Sequence, residues 1–156
     1  MSNLILFFYC IYPFRELKWR ILSRKLSEIK LLVLDVDGVL TDGGLWINSE
    51  GHTIKRFDVK DGLALKLIQE IGVEIVFLSG AKHKATTIRS KQLGIKHCYT
   101  GIKDKYKMLK SLQKQLNIPA SKTAYVGDDL NDIVVKPLVA IFFAPSNSAD
   151  SVILKS

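Results

Sequence analysis

Two aspartate-rich turns stand out along the chain. Asp35-Val36-Asp37-Gly38 follows one apolar run. Gly127-Asp128-Asp129 follows another, with Asp132 just beyond it. A third apolar run closes with Ser79-Gly80, and Lys105 opens a helix-forming stretch between Ser79 and Gly127. Carboxylates brought together repel unless a cation sits among them. Mg²⁺ prefers oxygen ligands, usually one or two carboxylates completed by water and phosphate oxygens. A hydroxyl, a glycine amide and an ammonium group suit the oxygens of a phosphoryl group. These residue types point to metal-assisted phosphate chemistry. Each has a plainer use as well: Asp-Gly and Gly-Asp-Asp form ordinary turns, Ser79 suits a helix N-cap, and Lys105 stands among other lysines. Their recurrence at the ends of apolar runs points to a site. His52, His83 and His97 match no metal-ligand spacing.

Those residues need elements that bring them together. Leu31–Val36 reads as a buried strand ending in carboxylates. Leu45–Ile47 and Thr53–Phe57 flank the turn sequence Asn48-Ser49-Glu50-Gly51 and read as a hairpin. Gly62–Ile71 is expected to be a helix with Leu63, Leu67 and Ile71 on one side, ended by Gly72. Val73–Leu78 reads as a second buried strand, Lys82–Leu93 as a helix, His97–Tyr99 as a short strand and Asp104–Leu116 as a helix. Thr123–Val126 and Val139–Phe143 complete the strands. Strands alternating with helices predict an α/β fold, a Rossmann-like parallel sheet with helices on both faces. In such sheets ligands bind outside the carboxyl ends of the strands, where the acids, Ser79 and Gly127 fall. Trp46 is expected to pack the hairpin, or another subunit, and Cys98 to be a core residue.

At 156 residues the chain is the size of one domain. A hydrophobic fraction of 47% and a charged fraction of 24% are those of a globular protein. Cys10 and Cys98 are the only cysteines, which excludes a disulfide-dense scaffold and favours a reducing compartment, the cytoplasm. The balance of 23 Lys+Arg against 15 Asp+Glu leaves a net charge of +8. Lys82–Lys114 holds ten basic residues and one acid, Asp104. A basic field beside an acid cluster concentrates anionic small molecules near a metal, although solvated helix faces look the same. The basic residues are not interleaved with aromatics, so no nucleic-acid partner is expected. Residues 1–28 read as a separate N-terminal extension and 29–156 as the domain. Leu4–Tyr12 is apolar but too short to span a bilayer. No basic residue precedes it and no cleavage pattern follows it, so a secretory signal is not expected. Beyond Pro13 a basic amphipathic helix is expected, suited to a membrane surface or to the face of a neighbouring domain or subunit.

In these motifs the sequence resembles the haloacid dehalogenase (HAD) superfamily of phosphotransferases. DVDGVLTDG at Asp35–Gly43 looks like its first motif and FLSG at Phe77–Gly80 its second. Lys105 fits the third, and GDDLND at Gly127–Asp132 the fourth. Asp37–Ile68 is similar to the small phosphatases of 3-deoxy-octulosonate 8-phosphate, which carry a β-hairpin and no cap domain. Phe57, Asp61, Gly62, LGI at Leu93–Ile95 and GIKDK at Gly101–Lys105 follow their pattern, and the match runs from residue 29 to 156. Related members act on nonulosonate 9-phosphates. The resemblance implies a cytoplasmic, Mg²⁺-dependent, homotetrameric phosphatase of a sugar-acid phosphate. Asp35 is the implied nucleophile and Asp37 the general acid and base. The implied metal site is Asp35 with Asp128, together with Asp37, where the Val36 carbonyl is nearer than the Asp37 carboxylate. Ser79 and Gly80 are implied to hold phosphoryl oxygens, Lys105 to balance their charge, and Asp132 to orient metal-bound water. Asp129 is left as a neighbour of the ligands or a structural residue.

Two departures carry expectations of their own. Family members usually place Arg after the second motif, where this chain has Ala81 followed by Lys82. Lys82 replaces the charge but not the fork geometry of that substrate-binding Arg. Members also continue past the region matching SADSVILKS into a Gly-rich tail that closes over substrate, and the chain is read as C-terminally short. Weaker substrate binding is the expectation, with a non-catalytic scaffold subunit as the alternative.

Overall fold

The computed structural model describes residues 22–154 and Ser156. The expected amphipathic helix after Pro13 therefore falls mostly outside the described residues. Its last part, residues 22–27, is helical, and Leu22 packs against Ile29, Ala124 and Ile141.

An unbroken apolar run can be buried on both faces only inside a covered sheet. Leu31–Leu34 (β1) is such a run and lies at the centre. The hairpin strands Trp46–Ile47 (β2) and Thr53–Ile54 (β3) pair antiparallel as a separate two-stranded sheet. Glu74–Leu78 (β4), His97–Tyr99 (β5), Thr123–Val126 (β6) and Ile141–Phe143 (β7) join β1 in the order β5-β4-β1-β6-β7, with every pairing parallel. Beyond the helical residues 22–27, the described helices are Val59–Glu70 (α1), Lys84–Gln92 (α2), Lys105–Leu116 (α3), Leu130–Ile133 (α4) and Asp150–Ile153 (α5). This is the Rossmann-like α/β architecture expected. The insertion between β1 and α1 is the short hairpin.

Alternation along the strands sorts side chains to two faces. Leu31, Val33, Val76, Leu78 and Tyr125 pack with Leu109 and Leu112 of α3 and Val152 of α5. Leu34, Ile75 and Phe77 pack on the other face with Leu65 of α1 and with Leu93 and Ile95 beyond α2. Cys98 is half-buried at the edge of that second cluster.

Several boundaries differ from expectation. α2 begins at Lys84, because His83 rather than Ser79 caps it, the Ala85 N–H donating to His83 Nδ1 at 3.1 Å. The strand expected over Leu31–Val36 stops at Leu34, where the chain turns to present Asp35. α1 turns its expected stripe the other way: Leu63, Leu67 and Ile71 are exposed, and Gly62 and Leu65 face inward. Trp46 does not pack the hairpin either; it is 70% exposed.

Candidate active site

Strand order brings the chemistry together. β1 lies between β4 and β6, so the turns after these three strands open at one edge of the sheet. The Asp35 N–H donates to the Val126 carbonyl at 2.9 Å, tying the first aspartate turn to the end of β6. Lys105 is the first residue of α3, whose start is fixed by its cap: the Lys107 N–H donates to Asp104 Oδ1 at 2.9 Å.

The centre is a buried ionic network. Lys105 Nζ donates to Asp35 Oδ1 at 2.9 Å and to Asp132 Oδ1 at 2.6 Å, with Asn131 Oδ1 at 3.4 Å. The same Asp132 oxygen accepts from the Tyr125 hydroxyl at 2.6 Å. Carboxylate oxygens of Asp35, Asp128 and Asp132 lie within 4.8 Å of one another. Burial raises the Asp35 carboxyl to about 6, although Lys105 pulls against the shift. Burial and the charge of Asp132 also raise Asp128. For Lys105, burial opposes the charge, but Asp35 and Asp132 outweigh it and hold the ammonium above its ordinary value. Burial and Asp132 hold the Tyr125 hydroxyl far above its ordinary value, so it remains a donor.

Glycine makes this crowding possible at two places. Gly38 has φ +85°, and a Cβ there would come within 1.9 Å of Asp128 Oδ2. At Gly127 a Cβ would meet the Asp132 Cβ at 2.5 Å. Any side chain at either position would displace a carboxylate of the network.

The residues present fit a hard cation. Among the described residues, Asp128 Oδ1 is buried with no hydrogen-bond partner. A buried anionic oxygen without a donor is costly unless a cation satisfies it. Asp35, beside it, is the second carboxylate Mg²⁺ would require. Asp132 Oδ1 already accepts from Lys105 and Tyr125, so this oxygen holds the lysine.

The other two groups of the expected metal site are engaged elsewhere in this structure. The Val36 carbonyl accepts the N–H groups of Leu40 at 2.9 Å and Thr41 at 3.2 Å, so it is committed to the turn. The Asp37 carboxylate is not part of the acidic cluster either. It is drawn toward Lys55, whose Nζ donates to Asp37 Oδ1 at 2.5 Å. Asp129 caps α4, accepting from the Leu130 N–H at 2.6 Å, while its own N–H donates to Asp132 Oδ2 at 3.3 Å.

Ser79 is buried at the end of β4, its Oγ 3.4 Å from Asp37 Oδ2. It also accepts from the Ala81 N–H at 3.2 Å, and the Ile102 N–H donates to the Ser79 carbonyl at 3.1 Å. Gly80 is exposed at this rim. Lys82 is exposed too and lies along Gly101, outside the ion pairs of the network. Beside Lys105 opens a pocket of about 520 Å³ whose lining includes Lys103, Tyr106 and Asn131.

Lys55, Tyr125 and Asn131 were not anticipated. Lys55 sits between exposed Ile54 and Arg56, where polarity predicts solvent rather than burial. Tyr125 did carry a signal: a tyrosine inside a buried strand needs a partner for its hydroxyl.

A parallel sheet with aspartates beyond its central strand and a lysine brought in by a following helix is the arrangement the HAD resemblance implies. No family model matches the chain. It is 39% identical over 112 residues to the 3-deoxy-D-manno-octulosonate 8-phosphate phosphatase KdsC of Haemophilus influenzae, covering 72% of this chain and 62% of that protein. To KdsC of Escherichia coli K12 it is 36% identical over 124 residues, covering 80% and 66%. The crystal structure of 3-deoxy-D-manno-octulosonate 8-phosphate phosphatase from Moraxella catarrhalis, in complex with magnesium ion, phosphate ion and KDO, superposes with a TM-score of 0.82. That similarity is at 36% identity and covers 85% of this chain and 76% of that one. The chain belongs to the 3-deoxy-D-manno-octulosonate 8-phosphate phosphatase family of the HAD superfamily. It spans 62% and 66% of the two curated relatives.

Proposed function

We propose that this chain is a Mg²⁺-dependent phosphatase that hydrolyses 3-deoxy-D-manno-octulosonate 8-phosphate. The observation that carries the reading is the partnerless buried Asp128 oxygen beside Asp35, with Lys105 against the same Asp35 carboxylate. Asp35 and Asp128 would hold the ion, which supplies charge neutralisation between an anionic nucleophile and an anionic phosphate. The names of the curated relatives support the substrate, and the Moraxella complex with magnesium ion, phosphate ion and KDO supports the ion.

The residues divide the work as follows. Asp35 attacks phosphorus in line and forms an aspartyl-phosphate as the bond to the sugar oxygen breaks. Asp37 gives its proton to the departing oxygen, then takes one from the water that cleaves the acyl phosphate and regenerates Asp35. Ser79 and the Gly80 amide hold phosphoryl oxygens. Lys105 balances charge as the phosphoryl group transfers, and Asp132 with Tyr125 keeps that lysine in place. Lys82 and its basic neighbours at the rim attract the acid sugar.

Exposure of Leu45, Trp46, Ile47 and Ile54 on the hairpin, and of Val59, Leu63 and Leu67 on α1, supports a homotetramer in which other copies cover these faces. Among the described residues, no helix is long and apolar enough to cross a membrane. A cytoplasmic location is consistent with the free Cys98 thiol.

The test is phosphate release from 3-deoxy-octulosonate 8-phosphate and from a nonulosonate 9-phosphate, with Mg²⁺ and with EDTA, beside Asp35→Asn. The expected result is metal-dependent turnover of the octulosonate ester that Asp35→Asn abolishes. Preference for the nonulosonate ester would reassign the substrate. Folded protein that binds Mg²⁺ and turns over neither ester would make the chain a scaffold subunit.

A further inference from the structure

Lys55 breaks the pattern of its segment. Its neighbours Ile54 and Arg56 are exposed, whereas the Lys55 side chain is 1% exposed. A buried ammonium group needs an anion. Here the anion is Asp37, reached across 18 residues from the return arm of the hairpin to the turn after β1. The second oxygen of Asp37 lies toward Ser79. Asp35 has a different lysine, Lys105, and belongs to the acidic cluster from which Asp37 is missing. Two carboxylates two residues apart are thus drawn in different directions, each by its own lysine.

We propose that Lys55 is a positioning residue that holds the Asp37 carboxyl group out of the metal cluster and beside Ser79, on the leaving-group side of the site. The inference rests on the phosphatase reading above. It gives the hairpin a part in catalysis within its own subunit: the hairpin delivers the cation that aims the acid–base group. During the reaction Lys55 keeps its protons. Asp37, the anion of the resting pair, takes up a proton from solvent as substrate binds, gives it to the leaving oxygen as the bond to phosphorus breaks, and takes one back from the attacking water.

The test compares Lys55→Met and Lys55→Arg in the full chain with Mg²⁺, on two esters. A sugar phosphate leaves as an alkoxide and needs a proton, whereas p-nitrophenyl phosphate releases a phenolate that does not. The ratio kcat/KM reports the steps up to leaving-group departure. With Lys55→Met it should fall about 100-fold on the sugar phosphate, the size of a general-acid contribution. On the aryl ester it should change by no more than about 3-fold. Lys55→Arg should restore most of the loss, and Lys55→Met should add nothing in an Asp37→Asn background. Equal losses on both esters, or an additive loss with Asp37→Asn, would overturn the proposal. If methionine at 55 prevents folding, Lys55→Gln undergoes the same comparison. Wild-type protein inactive on both esters defeats the phosphatase reading instead. Positioning is then read by Mg²⁺ calorimetry, in which Lys55→Met should bind at least about 3-fold tighter as the Asp37 carboxylate joins the cluster. Unchanged affinity would refute it.

Discussion

Asp35 is the residue on which folding and chemistry pull in opposite directions. Its carboxyl group sits at about 6 in the folded chain, above the ordinary 3.8. The folded state therefore binds this proton more tightly than the unfolded state does. Below about pH 3.8 the raised value contributes its full stability. That contribution fades as pH rises through about 6, a change on the order of 3 kcal/mol. In EDTA, the melting temperature of Asp35→Asn should therefore gain on wild type between pH 4 and pH 7, and parallel curves would refute this. Mg²⁺ acts on the same balance. It should raise the wild-type melting temperature more at pH 7.5 than at pH 5, where protons compete for Asp35 and Asp128. At this scale much of the site was legible in the sequence. Asp35, Asp128, Ser79 and Lys105 lie where strand ends and a helix start had to place them. Side-chain direction was not legible. Nothing in the spacing of Asp37 shows that a lysine from the hairpin turns its carboxylate aside, or that the Val36 carbonyl is taken up by two N–H groups of its own turn.

The element that matters most to the site is α3. Its cap, Asp104, immediately precedes the lysine that enters the ionic network. Asp104→Ala should lower stability, as lost N-caps do. It should also lower kcat more than it raises KM, because fraying the first turn moves Lys105. Urea unfolding and steady-state kinetics on the same variant check both parts. Element types and order were readable from apolar runs and glycine punctuation, and β5 and β6 have the expected bounds. The orientation of α1 was not readable. Leucines and isoleucine occur on more than one side of this helix, so periodicity alone could not choose the face that goes inward. Packing chose the side carrying Gly62, where a Cβ would meet Arg89 Nη2 at 2.5 Å and which is thus kept free for α2. The hairpin strands are shorter than their alternation suggested, since only Trp46–Ile54 and Ile47–Thr53 pair.

On the scale of the whole molecule, the outward leucines of α1 and the exposed apolar residues of the hairpin are the faces that the proposed homotetramer would cover. Leu63→Lys combined with Leu67→Lys should leave the circular-dichroism spectrum unchanged and give a smaller species in light scattering, whereas an unchanged mass would remove α1 from the interface. The sheet order described above also bears on time. β1 enters the sheet early in the chain, yet its neighbour β6 lies about ninety positions later, and the Asp35–Lys105 pair joins residues 70 apart. Contacts this distant in sequence close late, after local helices have formed. The constellation at the sheet edge is therefore among the last features to exist as the chain refolds. A refolding population regains its helical signal before the Asp35–Lys105 pair forms, and the interval between the two measures how long β6 takes to find β1.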